Sequence, residues 1–230
     1  MANSINDSIA STLSHLNTDV LQDFNKVFPN MGVVAGSAAL HGYMQQENKN
    51  PTWSPNDIDL WIPLKGVDQL LCFNYANRHV IFETDQELDM VMWHPAIINA
   101  SALHKKITEF FAKHRMAVKG ASNLGKNNET KKYKLTNIHS VWTFTNEKNY
   151  KIQVIYVADT PLSNVVDAFD MDCVKVSYNL SKNIFELSDA VDMLINAKQM
   201  YLKSTNAIAT PERIAKYESR GFINNKSKST

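Results

Sequence analysis

Apolar side chains recur at three- and four-residue intervals along the first 28 residues, which predicts an amphipathic helix that stops at Pro29 and Asn30. The recurring positions are Ile5, Ile9, Leu13, Leu16, Val20, Phe24 and Val27. A short apolar run at 31–36 follows and predicts a strand or turn. A small helix is then expected from Ser37 to about Gln46.

Branched, aromatic and alternating residues predict three strands farther along the chain. Residues 57–62 form the first strand, and Pro63 is expected to end it because proline cannot donate a ladder hydrogen bond. Residues 138–145 and 150–157 alternate on either side of a polar turn and predict a β-hairpin.

The segments between these strands carry weaker patterns. The region 66–98 is mixed, and within it 79–83 and 88–93 could each be a strand. Apolar residues on one helical face predict a helix over 101–115. Residues 119–134 are rich in lysine and poor in apolar groups, which predicts a mobile basic loop.

The last third of the chain completes an α+β pattern. Its predicted elements are a helix at 161–169, a strand at 172–178, a helix from about 188 to 203 and a last short helix. Thr210 fits the N-cap of that last helix, Pro211 its first position and Gly221 the position past its end. We therefore predict a small mixed β-sheet flanked by helices, with one domain over 1–205 and a C-terminal helix and disordered tail over 206–230.

The composition is that of an ordinary globular protein. The chain has 230 residues, of which 44% are hydrophobic and 20% charged, and its net charge of +1 excludes the strongly basic proteins that coat nucleic acid. Only two cysteines occur, so we expect reduced thiols and a cytoplasmic protein. No apolar run approaches the roughly 20 residues that cross a bilayer, so we expect no membrane partner.

Two carboxylates stand at the start of the first predicted strand. Residues two apart in a strand point to the same side, so Asp57, Asp59 and Trp61 should share one face. Neighbouring like charges are costly unless a cation or solvent relieves them, and Mg²⁺ binds one or two carboxylates together with phosphate oxygens. The alternative is a solvated strand start without a ligand.

A Gly-Ser pair precedes the small helix. Gly36 allows close approach of the backbone to a ligand, and Ser37 offers a hydroxyl beside unpaired helix amides that attract phosphate. Plain helix capping is the alternative for either residue alone. The combination of Gly-Ser, helix, loop and Asp-x-Asp strand favours a phosphate-binding turn followed by a metal-binding pair of acids.

This combination resembles the nucleotidyltransferase superfamily that includes DNA polymerase β. The resemblance implies that Gly36 and Ser37 bind the phosphates of a nucleoside triphosphate, and that Asp57 and Asp59 hold Mg²⁺ or Mn²⁺. It also implies a nucleotidyltransferase-type core with helical additions at both ends. The acceptor hydroxyl could belong to a protein, a nucleic acid or a small molecule.

Two further stretches resemble uncharacterised nucleotidyltransferase-like proteins of large DNA viruses. They are "FDMDC", residues 169–173, and "RIAKYESRGF", residues 213–222. This resemblance implies an intracellular setting in a host cell or virion.

The third carboxylate of the superfamily is missing from its usual place. Gln153 stands where the resemblance puts that acid, and glutamine is a poor ligand for a hard cation. We expect Asp170 to supply the missing catalytic charge, with Asp172 as the other candidate. If neither does, the alternative is a nucleotide-binding or structural module that has lost turnover.

Overall fold

The computed structural model describes residues 18–76, 85–123, 138–202 and 211–225, and its centre is a seven-stranded mixed sheet. The helices are α1 (Thr18–Val27), α2 (Ser37–Gln46), α3 (Gln69–Ala76), α4 (Asp85–Met92), α5 (Pro95–Lys113), α6 (Leu162–Asp167), α7 (Asp189–Asn196) and α8 (Pro211–Glu218). The strands are β1 (Val33–Ala35), β2 (Ile58–Leu64), β3 (Ala117–Asn123), β4 (Ile138–Thr145), β5 (Lys151–Ala158), β6 (Ser177–Asn179), β7 (Ile184–Glu186), β8 (Gln199–Met200) and β9 (Ile223–Asn224).

The sheet has the strand order β3-β4-β5-β2-β1-β6-β7. Only β2 and β5 run parallel to each other, and every other neighbouring pair in this sheet is antiparallel. Strands β8 and β9 form a separate parallel pair. The predicted α+β class, a mixed sheet flanked by helices, is confirmed.

Aromatic contacts fix which helices cover which face of the sheet. Phe111 of α5 stacks on Phe144 of β4 with ring centroids 4.5 Å apart, and Phe24 of α1 lies 6.1 Å from Phe111. Phe144 pairs with Ile152, so the next residue of β5, Gln153, points to the opposite face. Helices α1 and α5 therefore pack on one face, and the side chains of the predicted site lie on the other.

Several predicted elements are confirmed. Helix α2 has the predicted bounds, the hairpin of β4 and β5 forms, and α8 begins at Pro211. Gly221 lies past the end of α8 with φ +87°. Both cysteines carry free, buried thiols. Residues 1–17 of the predicted first helix, Thr210 and the tail beyond 225 lie outside the described residues.

Two predictions about the middle of the chain are wrong. Residues 88–93 do not form a strand, because most of them belong to helix α4, while 79–83 lie outside the described residues. Pro63 does not end β2. Strand β1 pairs with β2 only as far as Trp61, whereas β5 pairs with β2 through Leu64. At Pro63 the side of β2 toward β1 is therefore not paired with β1, and the missing N–H of proline breaks no hydrogen bond to that strand.

The predicted basic loop and the helix predicted over 101–115 also need correction. The loop was expected from 119, but residues 117–123 form edge strand β3, whose backbone pairs with β4 despite its polar side chains, and 124–137 are not described. Helix α5 starts earlier than predicted, since the His94 side chain accepts from Ala96 N and Pro95 takes the first position.

The segments after 170 differ most from their predictions. Residues 172–174 form a 3₁₀ turn in place of a strand, directly after the extended residue Met171, which forms an isolated antiparallel bridge with Leu202. Helix α7 ends well before 203, since Lys198 adopts the left-handed φ of +52° and the chain enters β8. Asn224, predicted to lie in the disordered tail, is part of β9.

No helix in the described ranges is long and apolar enough to cross a membrane.

Candidate functional site

The two predicted metal-binding acids lie in one cavity of about 100 Å³. Asp57 directly precedes β2 and Asp59 is its second residue. In the sheet register Asp59 stands between Ala35 of β1 and Gln153 of β5. Gly36, Ser37, Gln153 and Asp170 line the same cavity, so the structure brings together all the residues that the sequence assigned to a site.

The surroundings of Asp59 in this cavity disfavour its ionised form. Its Oδ1 atom is buried and has no hydrogen-bond partner in the described part of the chain. Burial and the neighbouring Asp57 carboxylate raise the pKa of Asp59 from 3.8 to about 7, against the smaller opposing effects of Arg213 and Lys216. A buried carboxylate without a partner is unfavourable in the folded protein and is a ready ligand for a cation.

The Gly-Ser turn lies against this carboxylate. Gly36 has φ +82° and ψ −142°, a region that is essentially restricted to glycine, and a Cβ at this position would come within 3.4 Å of Asp59 Oδ2. Gly36 is itself the N-cap of α2, and no side chain caps this helix start. The backbone conformation therefore requires glycine, a Cβ here would be in van der Waals contact with Asp59, and simple capping does not explain the Ser37 hydroxyl.

Trp61 and Phe169 form the aromatic part of the cavity lining, with ring centroids 5.2 Å apart. Trp61 is only 3% exposed, and its Nε1 is buried without a hydrogen-bond partner among the described residues. As the sequence predicted, Trp61 lines the cavity together with the acids. Two residues of the lining, Asp59 and Trp61, thus each have a buried polar atom without a partner in the described structure.

Helix α8 contributes three residues that the sequence analysis did not assign to the site: Arg213, Lys216 and Tyr217. Burial and the nearby Arg220 lower the pKa of Lys216, while Asp57 and Asp59 act on it in the opposite direction. The signal was in the sequence, because residues spaced three and four apart share one face of a helix. Positions 213, 216 and 220 thus form a basic stripe.

Several contacts hold α8 and the residues after it against the rest of the protein. Tyr217 is only 2% exposed, and the Arg220 guanidinium lies 3.9 Å from the ring centroid of Trp53. Beyond the helix, Ile223 N donates to Lys198 O at 2.7 Å and β9 pairs with β8. Directly after β8 in the chain, Tyr201 O accepts a hydrogen bond from Asp172 N. The segments around 169–173 and 213–222, which carry the resemblance to viral proteins, therefore both contact β8 and its neighbouring residues.

Asp170 reaches the cavity but is already paired. Its Oδ2 lies 2.7 Å from Arg213 Nε, in an ion pair whose carboxylate is 12% exposed. Asp172 points elsewhere and pairs with Lys175. Neither acid joins Asp57 and Asp59, since the described residues contain no group of three or more His, Cys, Asp or Glu that could hold a metal ion.

The acid pair still fits a divalent cation that arrives with its own ligands. Mg²⁺ is commonly held by one or two protein carboxylates, with substrate phosphates and water completing its octahedron. Asp57 and Asp59 supply two carboxylates, one of them with a buried oxygen that lacks a partner. The Gly36 turn leaves open the space that a side chain would fill beside them.

No protein-family model matches the chain, and no curated protein matches it significantly in sequence.

Proposed function

We propose that this protein is a nucleotidyltransferase that binds a nucleoside triphosphate together with Mg²⁺ or Mn²⁺ and transfers a nucleoside monophosphate to an acceptor hydroxyl. The observation that carries the proposal is the Asp59 carboxylate, whose Oδ1 is buried without a partner in the described part of the chain and whose Oδ2 lies against the Gly36 turn at the start of α2. The resemblance of Gly36, Ser37, Asp57 and Asp59 to the superfamily pattern supports it.

In this proposal each group has a defined task. Asp57 and Asp59 hold the cation, and the Ser37 hydroxyl and the first amides of α2 bind phosphate oxygens. The bound cation would neutralise charge on the phosphates and help to align the α-phosphate. The acceptor oxygen forms a bond to the α-phosphorus, the bond from that phosphorus to the pyrophosphate oxygen breaks, and the acceptor proton is released to water.

The test is incubation with each α-labelled ribonucleoside triphosphate and Mg²⁺ or Mn²⁺, followed by a search for label on protein, RNA and small molecules. We expect transfer by the wild type and none by the double variant Asp57→Asn with Asp59→Asn. Asp189→Asn, which removes an exposed carboxylate, is the matched control and should keep activity. Equal transfer by the double variant would contradict the assignment of the two acids.

A second candidate is a nucleotide-binding module without turnover, including a viral interaction protein. It is favoured by the neutral Gln153 beside Asp59 and by the ion pair of Asp170 with Arg213. In that case a triphosphate with Mg²⁺ should raise the melting temperature of the wild type but not of the double variant, and no label should be transferred. A wild type that shows neither effect would contradict both candidates.

A further inference from the structure

Two of the described charged side chains that line the cavity form a close ion pair, and the other three do not pair with one another. Asp170 and Arg213 neutralise each other at 2.7 Å. This leaves Asp57 and Asp59 facing Lys216 as the other charged groups of the lining. No ion pair within 4.0 Å joins Lys216 to either acid in the described structure, although their charges influence its proton affinity.

The partly buried position of the Lys216 ammonium group is energetically unfavourable without a ligand. Lys216 is partly buried on α8, and burial together with Arg220 lowers its pKa. An ammonium group withdrawn from water without a close counter-ion loses hydration and gains little in return. Its position is explained if a ligand with its own negative charge enters between Lys216 and the acids.

The size of the cavity indicates which part of a ligand enters. Whole small-molecule ligands occupy pockets of about 300–1,000 Å³, whereas this cavity measures about 100 Å³. Its lining is charged at the Asp57, Asp59 and Lys216 side. These features fit phosphate groups and one cation, with the remainder of a nucleotide outside the cavity.

We propose that Lys216 binds the polyphosphate of the ligand and supplies the positive charge of a second metal ion, so that the site takes one divalent cation per bound triphosphate. This inference rests on the proposed function and adds which groups balance the negative charge of the bound polyphosphate. Two carboxylates do not form a two-metal cage, and Gln153 adds no charge beside Asp59. A fixed ammonium group on α8 compensates for that deficit without a third acid.

The test measures binding and not turnover. The probes are the four ribonucleoside triphosphates, inorganic tripolyphosphate and adenosine, each titrated calorimetrically with Mg²⁺ into the full-length protein. We expect Lys216→Gln to weaken every triphosphate and tripolyphosphate by about 10- to 100-fold, the range for a hydrogen bond to a charged group. Lys216→Arg should restore most of this affinity. Equilibrium dialysis should find one Mg²⁺ per bound triphosphate.

Lys182→Gln is the matched control, because it removes the same charge from an exposed side chain paired with Glu186. It should bind like the wild type. Far-ultraviolet circular dichroism checks that Lys216→Gln is folded, and recovery in Lys216→Arg supports a role for charge even if the glutamine variant is destabilised.

The outcomes separate the two proposals. If the wild type binds triphosphates but Lys216→Gln binds them equally well, or if two Mg²⁺ ions accompany each triphosphate, the role of Lys216 is refuted and the proposed function stands. If the wild type binds neither a nucleoside triphosphate nor tripolyphosphate, the proposed function fails and this inference fails with it. Binding of tripolyphosphate alone supports a polyphosphate site and contradicts nucleotide transfer.

Discussion

Replacing Asp59 with asparagine should stabilise the ligand-free protein at pH 8, although it removes a proposed functional group. Burial and the charge of Asp57 raise the pKa of Asp59 from 3.8 to about 7, so the folded state favours the protonated, neutral carboxyl. Below about pH 4 the carboxyl is neutral in the folded and unfolded states alike. Above that pH the folded protein loses stability until the carboxyl is fully ionised, above about pH 7.

The magnitude follows from the shift. At about 1.36 kcal/mol per pKa unit, a rise from 3.8 to about 7 corresponds to at most about 4 kcal/mol above pH 7. Oδ1 of Asp59 is buried, but the residue as a whole is partly exposed, so water screens its charge. We therefore expect a gain of about 1–2 kcal/mol for Asp59→Asn at pH 8, or about 2–8 °C in melting temperature for a protein of this size.

The assay is thermal and urea denaturation of both proteins in chelator between pH 5 and pH 8.5. The advantage of Asp59→Asn over the wild type should grow as the pH rises and level off above pH 7. In Asp189→Asn an exposed carboxylate in the first turn of α7 is removed, so its effect should be small and independent of pH over this range. A pH-independent effect of Asp59→Asn, or a loss of stability at pH 8, would refute the reasoning.

Two further predictions concern the neighbours of this carboxylate. Gly36→Ala should cost about 1–3 kcal/mol of folding free energy because Gly36 has φ +82°, whereas Gly120→Ala, with no atom within 4 Å of the added Cβ, should be nearly neutral in urea denaturation. Equal stabilities of the two variants would contradict the strained turn. Gln153→Asp should raise the affinity for Mg²⁺, measured by calorimetry, and lower the stability of the ligand-free protein, because a third carboxylate would join Asp59. Gln153→Asn is its control, and equal Mg²⁺ affinity in both variants would show that Gln153 is not at the metal site.

The sequence predicted the elements whose signals are local. Helix α2 follows directly from the Gly-Ser start, and the period of two in β2 places Asp59 and Trp61 on one side. The position of Gln153 beside Asp59 also agrees with the expectation, because parallel pairing of β2 and β5 sets it. These features depend on neighbours in the chain or on a single strand pairing.

Features that depend on distant contacts could not be predicted in this way. The approach of α8 to the acids is accompanied by stacking of Arg220 on Trp53, which is far away in the chain. The ion pair of Arg213 with Asp170, the acid that the sequence assigned to catalysis, likewise joins residues far apart in the chain. Edge strand β3 was missed because its backbone pairing with β4, and not its side chains, holds it.

The attachment of α8 also has a consequence for the order in which the site is assembled. Synthesis proceeds from the amino end, so Arg213, Lys216 and Tyr217 leave the ribosome after every other residue that lines the cavity. Until they arrive, the nascent chain holds Asp57 and Asp59 together without the basic side chains that offset their repulsion. A chain interrupted before residue 211 would retain the acid pair but lack these basic side chains, so the proposed polyphosphate site can form only after α8 has docked.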